Sequence, residues 1–105
     1  SRGNFAAAED CYRKALACNP NYALAQSNLA GVLATVGRIR EAAEAYRRAV
    51  VLAPNSLEDH MGLGQVLQSL GEPQQAAECF RRCLAIAPTA REARAVAAEL
   101  TELIG

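Results

Sequence analysis

Between Ala23 and Val36 the apolar positions recur three and four apart, as in Leu29, Val32, Leu33 and Val36. That spacing puts them on one side of a helix. Gly37 then stops the helix, because glycine accepts a left-handed backbone at little cost. A second helix is predicted from Arg40 to Leu52, with Ala42, Ala45, Tyr46, Ala49 and Leu52 or Val50 turned inward. Pro54-Asn55 ends it, since proline cannot extend the hydrogen-bond ladder. The same grammar covers Leu57 to Leu70, Gly71, Gln74 to Ile86 and Pro88-Thr89. It also covers Phe5 to Cys18 before Pro20-Asn21, and a final helix from Arg91 to Ile104.

These segments repeat with a period of 34 residues. Gly3, Gly37, Gly71 and Gly105 keep that step, as do Pro20, Pro54 and Pro88. So do Ala8, Ala42 and Ala76, the aromatics Tyr12, Tyr46 and Phe80, and the small residues Ala15, Ala49 and Cys83. Ala30, Gly64 and Ala98 form a sixth column, and no insertion or deletion is needed. A fixed period of this length marks a stack of supersecondary units. The chain divides as 1–22, the second half of a repeat; 23–56 and 57–90, two complete repeats; and 91–105, a terminal or capping helix. In that helix Arg91, Glu92, Arg94, Glu99 and Glu102 form a polar face, suited to the end of an array.

Each column has a packing reason. Ala30, Gly64 and Ala98 are small where the first helix of a pair must approach the second. Ala42 and Ala76 are small in the facing position. Tyr12, Tyr46 and Phe80 are expected in the wedge between neighbouring repeats, with Ala49 and Cys83 against the next repeat's first helix. Composition agrees with an all-α chain: alanine, the strongest helix former, fills 23 of 105 positions, and aromatics make up 5%.

The stretch Asn28-Leu29-Ala30, Leu33, Gly37-Arg38-Ile39, Ala42, Tyr46, Ala49 and Pro54 resembles the tetratricopeptide repeat family. So does Leu63-Gly64, Leu67, Gly71, Ala76, Phe80 and Pro88. The first copy keeps Gly3-Asn4-Phe5, Ala8, Tyr12, Ala15 and Pro20, so the resemblance spans the whole chain. It departs from the family at Gln26 and His60, where a tryptophan or another large residue is usual, and at Thr101. Pro73 stands at a usual apolar turn position and is expected as an early helical residue.

The resemblance implies an all-α, right-handed superhelical stack of antiparallel helix pairs. It also implies a non-catalytic module that binds a peptide or partner helix in a concave groove lined by the first helices. The candidate groove residues are Leu24, Ser27, Asn28, Gly31 and Thr35, then Glu58, Met61, Gly62, Gln65 and Ser69, with Glu92, Ala95, Val96 and Glu99 from the last helix. A carboxamide at Asn28 can bond both N–H and C=O of an extended peptide, and Gln65 can assist. Gly31 and Gly62 leave room for a backbone to approach. Glu58, Glu92 and Glu99 make the groove acidic, which favours a neutral or basic peptide over an acidic one. Some family members clamp a C-terminal carboxylate with lysine and arginine; here the matching places hold Glu58 and Gly62. The alternative is a structural spacer or self-association module of a larger protein, associating through exposed end faces that carry Phe5, Ala8 and Tyr12, with any catalysis in a separate domain.

Charge and chemistry narrow the remaining readings. The chain carries 11 Lys+Arg and 11 Asp+Glu, a formal net charge of zero, which is unlike a polyanion-binding module. Each second helix has a basic pair, Arg13-Lys14, Arg47-Arg48 and Arg81-Arg82, facing acids Asp10, Glu44 and Glu78 four residues before the second member. No aromatics interleave the stripe to stack bases, so a solvated face is expected and no nucleic acid. No run of about 18 apolar residues is present for a membrane span. His60 is the single histidine and stands in no triad or metal motif, so no catalysis, cofactor or metal is expected. Cys11, Cys18, Cys79 and Cys83 form no C-x-x-C and are expected as small buried thiols. Unlinked thiols, with no export signal in view, favour an intracellular setting.

Overall fold

A computed structural model describes residues 4–87, together with Arg94, Ala95 and Ala98. These form five helices: α1 (Phe5–Cys18), α2 (Ala23–Thr35), α3 (Ile39–Leu52), α4 (Leu57–Ser69) and α5 (Pro73–Ile86). There is no strand among the described residues. Arg94, Ala95 and Ala98 are helical and exposed. Gly3, Pro88-Thr89, Glu92, Val96, Glu99, Thr101 and Gly105 lie outside the described residues, as does most of the closing helix expected over 91–104.

The helix ends follow from local chemistry. Asn4 caps α1 by accepting from the Ala7 amide, and Ser56 caps α4 by accepting from the Asp59 amide at 3.3 Å. Pro73 opens α5 at the first turn, where its missing N–H leaves nothing unsatisfied. Gly37 and Gly71 adopt φ of 88° and 78°. The amides that follow them fold back five residues, Arg38 N to Leu33 O and Glu72 N to Leu67 O, both at 2.9 Å. This is a Schellman closure, which satisfies carbonyls at the helix end and needs the left-handed glycine.

The chain divides into two compact units, 1–54 and 55–105. In the first, α2 packs against both α1 and α3. Its core consists of Ala25, Leu29, Ala30 and Leu33 on α2 with Ala42, Ala43, Ala45 and Ala49 on α3. So many alanines allow close helix approach while little side-chain entropy is lost. No residue of α1 is buried, and Phe5 remains 39% exposed. In the second unit α4 packs on α5 through Leu63, Val66 and Leu67 against Ala76, Ala77, Cys79, Phe80 and Cys83.

In the aromatic column, Phe80 and Tyr46 each reach the first helix of their own pair. Phe80 is 1% exposed and lies over Gly64, its own pair's first helix; a Cβ built there would meet the ring at 2.7 Å. Tyr46 likewise brings its hydroxyl toward Gly31 of α2. Cys83 reaches the Leu57 carbonyl of its own pair. The physical reason is reach: a ring on the second helix spans the gap only where the first helix has a small residue.

The thiols divide two and two. Cys79 and Cys83 are buried, whereas Cys11 and Cys18 are exposed, which corrects the expectation of four buried thiols. Both exposed thiols lie on α1, which buries no residue at all. Burial pushes the Cys83 thiol up to about 11, with a smaller contribution from Cys79.

Candidate peptide-binding faces

Helix α2 has two opposite faces. Gln26, Leu29, Ala30 and Leu33 point inward and are buried. Leu24, Asn28 and Thr35 are exposed, and Ser27 and Gly31 half-buried, along the other side. No residue from Ala23 to Thr35 carries a charge. Leu24 is 61% exposed beside the Asn28 carboxamide, so this stripe combines an apolar contact with a donor and an acceptor. The Thr35 hydroxyl donates to the Gly31 carbonyl at 2.8 Å, which commits its proton and leaves its oxygen able to accept.

Helix α4 repeats the arrangement in its own unit. Glu58, Gln65 and Ser69 are exposed, and Met61 and Gly62 half-buried. Asp59, His60, Leu63, Val66 and Leu67 turn inward. Every described groove candidate therefore lies on the outward side of its helix, and the two stripes hold no lysine or arginine.

Three buried polar residues escaped the sequence reading. Gln26 is 4%, Asp59 2% and His60 5% exposed. Gln26 Nε2 donates to the Ala45 carbonyl at 3.4 Å, fastening α2 to α3. The spacing held a signal: Gln26 and His60 occupy the same place in successive repeats, on the inward side, so both belong to the core.

The basic stripe is partly tied down. Asp10–Lys14 and Glu78–Arg82 pair at 3.1 and 3.7 Å as expected. No ion pair among the described residues joins Glu44 to Arg48. A cross-helix network forms instead: Arg38 holds Glu41 and, 29 residues back, Glu9, each at 2.7 Å. Arg13 holds Glu9 at 2.8 Å. The Arg13 and Arg38 guanidiniums keep the Glu9 carboxyl below its ordinary range, and Arg38 does the same for Glu41. No cluster of histidine, cysteine and carboxylates able to hold a metal occurs among the described residues. No described helix is long and apolar enough to cross a membrane.

Paired helices closed by left-handed glycines, with small residues at each crossing, define a helical-repeat protein. Residues 29–101 match the family described as Tetratricopeptide repeat, and the chain belongs to it. That family is generally a non-catalytic protein-interaction fold. A sequence search of curated proteins finds no match. Among solved structures, the chain is similar to the first TPR of Spaghetti (RPAP3), bound to the HSP90 peptide SRMEEVD: 20% identity, 98% of this chain, 82% of that one, TM-score 0.90. It is also similar to MamA, with 25% identity over 99% of this chain and 61% of that one, TM-score 0.92. The second TPR domain of human RPAP3, in complex with the HSP70 peptide SGPTIEEVD, shares 21% identity over 94% of this chain and 82% of that one, TM-score 0.86.

Proposed function

We propose that this chain is a peptide-binding module that uses the outward stripes of α2 and α4. The observation that carries this is the uncharged, accessible side of α2. There the exposed Leu24 and the Asn28 carboxamide stand beside Gly31, where the backbone is reachable. A helix side left to water normally carries charge; this one offers what an extended peptide needs, a carboxamide for its backbone and apolar surface for a side chain. Two of the similar structures were solved with chaperone peptides, which is consistent with peptide recognition on this fold. With no cation on either stripe and Glu58 exposed on α4, a neutral or basic peptide suits these faces better than an acidic one. The division of the chain at 22/23, 56/57 and 90/91 belongs to the same reading, with one stripe per complete repeat.

The test is a peptide selected from a display library on the wild-type chain, then titrated against Asn28→Ala. Binding weaker by about tenfold, roughly 1.4 kcal/mol, at unchanged helicity is the expected result. Equal affinity would move the site elsewhere. A second reading, self-association, rests on α1, which buries none of its residues and leaves Phe5 exposed. It predicts a concentration-dependent mass in sedimentation that Phe5→Ser removes.

A further inference from the structure

The opposite side of α2 carries a different surface. Adjoining cavities of about 360 and 410 Å³ open beside its inward face, the larger between α1 and α3 and the smaller between the α1–α2 turn and α3. Gln26 and Arg48 line both, and Pro20 sits where they meet. Volumes of a few hundred Å³ are those of ligand sites, but these cavities are open clefts on one unit's surface. Leu16 and Leu29 line one, and Val51 and Leu52 the other. Val51 is 76% exposed, the most exposed large apolar side chain described.

The charges around this cleft have one sign. Arg13, Arg47 and Arg48 line it, and no carboxylate does. Arg13 is committed to Glu9, but Arg48 forms no ion pair among the described residues. Acids border a smaller adjoining cavity, where Glu41 and Glu44 stand with Arg13, Gln26, Leu29 and Arg48. Gln26 adds a second feature. It is 4% exposed, its Nε2 is spent on Ala45, and no described group donates to its Oε1. A carboxamide oxygen on the cleft wall with capacity left is an acceptor for a peptide N–H.

We infer that this cleft docks an acidic segment of a partner protein, in which a carboxylate lies next to an apolar side chain. The carboxylate meets the Arg48 guanidinium, a charge-assisted bond. The apolar neighbour covers Val51 and Leu52, and Gln26 Oε1 receives a backbone N–H. This site is independent of the Asn28 stripe, since the two lie on opposite sides of α2 and favour opposite charge.

The probe is a fluorescein-labelled peptide of alternating leucine and glutamate, with a leucine–glutamine peptide as control. Fluorescence anisotropy should show the acidic peptide binding more tightly than the control by at least about tenfold, with affinity falling as salt rises. Arg48→Glu and Val51→Asp, both at exposed positions and each checked for unchanged helicity by circular dichroism, should each weaken it by about tenfold or more. Absence of binding to the wild-type chain at millimolar peptide overturns the inference. So does equal binding of the control, or loss on Asn28→Ala with none on Arg48→Glu.

Discussion

At Gly64 a single missing methyl sets the spacing of a helix pair. A Cβ there would come within 2.7 Å of the Phe80 ring, which is itself 1% exposed and has no free space to move into. Gly64→Ala is expected to lower the melting temperature, because overpacking costs about 1–3 kcal/mol and outweighs the propensity gain of roughly 1 kcal/mol. Gly31→Ala is the contrasting case. Its nearest neighbour would be the Tyr46 hydroxyl at 3.9 Å, an ordinary contact, so thermal denaturation should show an unchanged or higher midpoint. The cysteines give a second residue-level prediction. Exposed Cys11 and Cys18 should react with a thiol reagent in the native protein, and buried Cys79 and Cys83 only on unfolding. The Cys83 thiol ordinarily ionises near 9.0 and is pushed up to about 11 in the fold. The folded state therefore holds its proton longer, and stability should fall as pH rises from about 9 toward 11.

Between elements, the joints carry most of the specificity. Gly37 and Gly71 hold left-handed angles that a side chain resists, so Gly37→Val should cost about 1–2 kcal/mol, measured by urea denaturation. The attachment of α1 is weaker by construction: it buries no residue and is tied by the Arg38–Glu9 ion pair to the start of α3. Glu9 and Glu41 have depressed pKa values in the fold. Their stabilisation is present above the ordinary value of 4.5 and is lost as pH falls below it. Hydrogen exchange should show α1 losing protection in that acidic range before α2 and α3, and Arg38→Ala should produce the same loss at neutral pH. The five helices described were legible in the sequence to within one residue, because apolar spacing and the Gly and Pro stops are local signals. Ile39 was placed just outside its helix, since a first helical residue needs no intrahelical N–H bond and so leaves no pattern, whereas Pro73, read as an early helical residue, opens α5.

For the whole molecule, stability is distributed between two units that each have their own core. Ala76→Leu overpacks the α4–α5 contact, where Ala76 is fully buried, and should cost about 1–3 kcal/mol. In a repeat array that cost is felt mainly locally, so exchange protection should fall first in α4 and α5. The period and the helix pairing were legible in the sequence, because a 34-residue repeat keeps its small and aromatic columns in step, and the outward side of Asn28 and Gln65 followed from that period together with the family resemblance. Three features depended on tertiary structure. Phe80 packs on Gly64, Gln26 Nε2 reaches the Ala45 carbonyl of α3, and a cationic cleft opens between α1 and α3. Each depends on distances between residues on different helices, and periodicity along one helix gives a direction for a side chain but not what it meets.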